Sequence, residues 1–180
     1  VTGDAQVDGG LGVSGNVAIG GGLDVQGAIS GNSLDISGMV TAGSLSVSGS
    51  ASVGTLSVSG DASVGGNLTV GGHVLTGGQA PAVQVESGAG HDATCTLTGN
   101  DTGGSITIAT GDTDLADGTE CTVTFHTTFG NAPNPVVSPR NKDSAGVGVY
   151  VGADSSKMTI QFSNAPAAHK TYTFNYFNAQ

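Results

Sequence analysis

Four carboxylates crowd one short loop of this sequence. In GDTDLADGTE, residues 111–120, Asp112, Asp114, Asp117 and Glu120 offer the hard oxygen ligands that calcium prefers. Against an EF-hand frame the third Asp and the glycine each come one place late, and Val123 stands where the bidentate Glu is required. The loop therefore reads as a solvated acidic turn, with calcium as the weaker alternative, and no metal site is assigned. Cys95 and Cys121 share strand parity with Leu97 and with Val123 and Phe125, so both point inward. They can pair if the strands carrying them are neighbours, or stay as free buried thiols. Their number and spacing fit no zinc site, and His73, His91, His126 and His169 are scattered with none at ligand spacing from another.

Covalent and hydrolytic chemistry finds little support. The sequence has no GxSxG elbow, no phosphate-binding loop, and no Ser, His and Asp grouping above the background of a Ser-rich chain. A carboxylate pair for glycoside cleavage would have to come from the one acidic loop, and with no Trp and three Tyr an aromatic-lined sugar cleft is not expected. The chain is read as a non-enzyme with no cofactor. Recognition is better served. Tyr150 has the opposite parity from Val149 and Val151 and faces outward or toward a neighbouring subunit. Arg140, Asn141 and Lys142 sit together in SPRNKDSAG, which holds two of the four Lys and Arg residues. A loop carried on a rigid scaffold is where binding residues concentrate; a solubilising turn beside a subunit contact is the equal alternative.

These residues need a scaffold, and the alternation of apolar and polar positions supplies one. Strands are expected at 93–98, 104–109, 119–127, 135–138, 146–152, 157–163 and 171–177. Seven strands at this spacing describe a β-sandwich or jelly-roll-like head over residues 93–180. Parity places Leu97, Ile106, Ile108, Val123, Phe125, Val147, Val149, Val151, Met158, Ile160, Phe162, Tyr172, Phe174 and Tyr176 on its inner faces. Residues 79–92, rich in Gly, Ala and Ser around Pro81, form a neck in which Val83 and Val85 could make one more strand.

Residues 1–78 are different in kind. Leu11, Leu23, Leu34, Leu45, Leu56 and Leu68 recur at spacings of 12, 11, 11, 11 and 12. Two units read LSVSGSASVGT and LSVSGDASVGGN. Counted from each Leu, the third and seventh places are apolar, the fifth is glycine, and the tenth to twelfth are Gly, Asn or Ser suited to a turn with positive φ. Each unit is thus two very short strands and two corners. One Leu, two Val-sized groups and an Ala bury too little to order eleven residues, and eleven residues make a path of only about 36 Å, short for enclosing a core. Three chains sharing each turn would remove both difficulties. The fold class is all-β, with an intertwined homotrimeric β-helical or β-spiral shaft whose leucines meet on the axis; a single-chain solenoid is the alternative. In such a trimer His73 could meet its own copies. Extrapolating the repeat back from Leu11 puts Val1, Gly3, Ala5 and Val7 at its third, fifth, seventh and ninth places, so the sequence reads as opening in mid-unit, with more shaft or an attachment segment expected before it.

Composition narrows the partners. The formal net charge is −10, and five Asp but no Lys or Arg precede residue 79, which disfavours a nucleic-acid partner. No run of about 18 apolar residues is present for a membrane span, and no signal segment opens the sequence.

The shaft units, as in LSVSGDASVGGNLTVGG, resemble the glycine-rich short repeats of bacteriophage tail-fibre and appendage shafts. TGNDTGGSITIATG (98–111), TVTFHTTFGNAPNPVVSP (122–139), and GVYV (148–151) followed by TYTFNYF (171–177) resemble small C-terminal domains on such fibres. The resemblance implies a homotrimeric virion fibre, joined to a further virion protein at its N-terminal end, whose tip contacts a host-surface receptor, expected to be carbohydrate. It carries over no catalytic residue, and the two cysteines depart from it. A bacterial trimeric surface adhesin would share the shaft. A solenoid binding a repetitive surface would present regular Thr ladders, whereas the outward shaft places mix Ser, Asp, Gln and Gly.

Overall fold

A computed structural model describes residues 6–180, so the expected mid-unit opening at Val1, Gly3 and Ala5 lies outside the described residues. The chain divides into two units, Val1–Ala62 and Ser63–Gln180. The repeats fill the first and enter the second. The corners fall where the repeat places them. The chain bends at the fourth and fifth places of every unit, at 14–15, 26–27, 37–38, 48–49, 59–60 and 71–72, and again at the tenth, at 20, 32, 43, 54 and 65. Among the described residues no shaft glycine before Gly78 takes a positive φ, so these corners do not use the left-handed conformation that their glycines would allow. No strand forms between residues 6 and 81, because within one chain the extended pieces have no ladder partner.

The second unit contains a sandwich of eight strands. These are β1 (Ala82–Val85), β2 (Thr94–Gly99), β3 (Gly103–Ala109), β4 (Gly118–Thr124), β5 (Asn134–Pro139), β6 (Val149–Ala153), β7 (Lys157–Phe162) and β8 (Thr171–Ala179). All pairs are antiparallel, in the orders β1-β4-β7-β6 and β2-β3-β8-β5. The first sheet, with β5 and β8 facing it, follows the immunoglobulin-type order A-B-E-D over C-F rather than a jelly roll, and the β2–β3 hairpin takes the place of the last strand. β1 lies inside the segment read as a neck; Val83 pairs with Val123 and Val85 with Cys121, so residues 82–85 belong to the sandwich.

The alternation sets the core. Ile106, Ile108, Val123, Met158, Ile160, Phe162 and Phe174 are fully buried between the sheets, and Phe125, Val147, Tyr172 and Tyr176 nearly so. Leu97, Val149 and Val151 pack against them from the edge strands, half-buried. Phe162 lies at the centre, with its ring 5.1 Å from that of Tyr172 and 5.8 Å from that of Phe174. No helix among the described residues is long and apolar enough to cross a membrane.

Candidate functional site

The acidic loop does not gather into a cation site. Among the described residues no three His, Cys, Asp or Glu side chains converge to hold a metal. The reason is a bulge. Thr119 pairs with Gln161 and Cys121 with Ile160, so Glu120 is an extra residue between consecutive partners. The bulge turns Glu120 inward, against the parity of its strand, and seats it fully buried under a 3-10 turn at Ser87–Ala89. Asp112, Asp114 and Asp117 stay at the surface. Thr113 Oγ1 donates to Asp112 and to Asp114 at 3.4 and 3.3 Å, and Asp112 stands 3.8 Å from the imidazole of His91.

Among the described residues neither carboxylate oxygen of Glu120 has a hydrogen-bond partner. Burial, with Asp117 nearby as the smaller cause, pushes its carboxyl up to about 7. Gly88 makes the room: a Cβ there would lie 2.9 Å from Glu120 Oε1 and 2.8 Å from the carbonyl of Thr119.

Cys95 and Cys121 form a disulfide, with Cα atoms 6.1 Å apart. Their strands are not ladder neighbours. β2 lies in one sheet and β4 in the other, so the bond crosses the core and ties the sheets together.

The four residues read as a recognition set separate. Tyr150 is half-exposed on the outer face of the first sheet, opposite Gln161. Arg140 follows β5 in the second sheet, and its amide donates to Thr173 O at 2.7 Å. Asn141 has a structural task. The loop after it winds into one helical turn, α1 (Lys142–Gly146), and Asn141 is its N-cap: Oδ1 accepts from the Ser144 amide at 2.8 Å, and Nδ2 donates to Thr171 O at 2.7 Å. Lys142 borders a hollow of about 300 Å³ with Asn164, Lys170 and Tyr172, where Lys170 stands 3.7 Å from Asp143.

A larger hollow, about 460 Å³, opens where the last repeat meets the sandwich. Next to its lining residue Asp101, Asn100 is buried in the β2–β3 turn. Asn100 Nδ2 donates to Thr76 O at 2.6 Å, while Oδ1 accepts from the amides of Thr102 and Gly103 at 2.9 and 3.2 Å. The next residue, Asp101, accepts from the amides of His126 and Thr127 at 2.7 and 2.8 Å, one on each oxygen. These two side chains fasten three segments distant in sequence. Strand parity gave no sign of them; an Asn-Asp pair before Thr-Gly-Gly reads as an ordinary turn.

Among known proteins, no family model, no curated protein and no solved structure matches the chain.

Proposed function

We propose that the chain is a structural fibre subunit: three copies wind their repeats into a common β shaft that carries three recognition heads. One observation carries this reading. The six leucines of the repeat are 66–83% exposed in the single chain and the third-place Val and Ile residues 42–50%, unit after unit. A stripe of this regularity is far larger than the apolar patches monomers tolerate. Two further copies would cover it and supply the missing ladder partners. The shaft glycines agree: a Cβ on Gly49 or Gly60 would meet nothing of its own chain within 4 Å, and neither takes a positive φ, so their recurrence answers to something outside the chain.

In this reading the fibre is a virion appendage, attached through a further virion protein at its N-terminal end. The head binds a host-surface carbohydrate, with affinity gained by three weak sites acting together. Its work is attachment rather than catalysis. The disulfide favours a second reading, a trimeric surface adhesin, because an inter-sheet bond of this kind belongs to chains that fold in an oxidising compartment.

The test is a native mass measurement of the full chain, followed by glycan-array binding of the assembled species. A mass three times that of the chain with retained glycan binding is expected. A folded lone chain would overturn the fibre, and a trimer bound by no glycan would remove the carbohydrate receptor.

A further inference from the structure

The hollow between the last repeat and the sandwich has the chemistry of a sugar subsite. Phe129 presents a half-buried ring, fixed edge-on against Phe125 at 4.8 Å and anchored by its amide to Ser155 O at 2.8 Å. Such a ring suits the apolar C–H face of a pyranose. Asp101, which also lines the hollow, is held by its two backbone donors, and each of its oxygens retains a lone pair for a ligand hydroxyl. Gln79, Thr102 and Thr127 add an amide and two hydroxyls, while His126 stands exposed at the rim. Gly77 and Gly78 leave their wall without side chains. At about 460 Å³ the space falls within the range of small-molecule sites.

We infer that this hollow binds one neutral pyranose residue of the host-surface glycan. Neutral follows from charge: a carboxylate lines the hollow, neither Lys nor Arg does, and the chain carries a net charge of −10, so an acidic sugar would be repelled. The walls are already in place, because Asn100 pins Thr76 and buried Pro81 leads into β1. These ties limit the ordering that binding requires. This inference rests on the reading of the head as a carbohydrate receptor and replaces Tyr150, Arg140 and Lys142 as its contact site.

The experiment is a titration of the ¹⁵N-labelled full chain, in its assembled state, with the methyl glycosides of glucose, galactose, mannose and N-acetylglucosamine, and with methyl glucuronide as the acidic control. At least one neutral glycoside is expected to shift the amides of Gly77, Gly78, Thr102 and Thr127 saturably in the millimolar range, as a weak single site would; the glucuronide should leave them unmoved. Gly77→Tyr should abolish the shifts, since a Cβ at Gly77 meets nothing within 4 Å and the larger side chain would fill the hollow without displacing the chain. Gln79→Ala, on an exposed side chain, should weaken binding about fivefold, the loss of one hydrogen bond. Shifts that persist in Gly77→Tyr would overturn the site. Shifts gathered at Tyr150 and Arg140 would also overturn it but leave a carbohydrate-binding head. A silent spectrum from a chain of trimer mass would overturn the site, and only a glycan array that is silent as well would remove the carbohydrate receptor while leaving the fibre.

Discussion

Glycine means opposite things in the two regions of this molecule. At several head positions the chain itself requires it: at Gly104 a Cβ would collide with the carbonyl of Thr98, at Gly111 with that of His91, and at Gly88 with the buried Glu120. In the repeats the glycines border open space. The apolar residues divide in the same way. Head positions of inward parity are buried by the opposite sheet, whereas the leucines of the repeat, patterned just as strictly, are left largely exposed by the described residues of the chain. A pattern that the chain itself buries and a pattern that it leaves exposed look alike in sequence, and the folded single chain separates the two.

The largest effect that could break this contrast comes from the leucines. Replacing Leu45 and Leu56 by Asp would forfeit about 2 kcal/mol of burial per side chain, on the order of 10 kcal/mol over six copies in a trimer. Native mass is expected to fall to that of one chain, while the thermal transition of the head stays where it was. If mass is unchanged, the stripe is not an assembly surface.

Next comes the disulfide. Cys95 and Cys121 are 26 residues apart, and opening a loop of that length costs about 3.5 kcal/mol in chain entropy. The double variant Cys95→Ser with Cys121→Ser should lower the melting temperature of the head by roughly 15 °C, since each kcal/mol is worth about 4–8 °C in a domain of this size. Assembly of the repeats should persist. Loss of trimer mass together with the head would show that the two regions do not fold separately.

How far sequence could reach follows the same division. All seven expected strands form, and their inward residues, from Ile106 to Tyr176, are buried as parity requires. Alternation works because both faces of a two-sheet core obey one period. Reading from sequence falls short at three places, each with a local cause. Glu120 is inside because a bulge adds one residue and reverses the parity. Asn141 reads in sequence as a loop residue free for recognition, yet the Ser144 amide and the Thr171 carbonyl occupy both ends of its carboxamide. The cysteines bond across the sandwich rather than along a sheet, a relation that strand spacing does not encode. Asn100 and Asp101 carry no periodic signal, because their partners at residues 76, 126 and 127 belong to other turns, and turn-to-turn bonds have no period.

Glu120 gives the third test and concerns the head alone. Its carboxyl is raised from 4.5 to about 7, so between those values the folded chain binds a proton that the unfolded chain has released. The contribution of Glu120 to stability is therefore expected to be full below about pH 4.5, to fall as pH rises toward 7 and to level off above it. The full loss amounts to about 3 kcal/mol. Glu120→Gln, which cannot ionise, should equal the parent near pH 4 and exceed it by up to that amount at pH 8 in chemical denaturation. An unchanged pH profile would mean that the carboxyl reaches water.

The smallest effect is the most discriminating, because its sign is at issue. Gly49 has no left-handed φ and a Cβ there touches nothing of its own chain. In a lone chain Gly49→Ala would reduce the freedom of the unfolded state and stabilise by about 0.5 kcal/mol. In a shaft where another backbone passes close to the fifth place, the same methyl has to be accommodated against that neighbour and costs about 1 kcal/mol per chain. The corresponding place in the next unit, Gly60, should behave alike, whereas Ser48 and Ser50 on either side, which already carry a Cβ, should tolerate Ala with no change. Thermal denaturation of the assembled species, compared across the four variants, reads the sign directly. Destabilisation confined to the glycines places a partner at the fifth position of every repeat, and a uniform slight gain removes it.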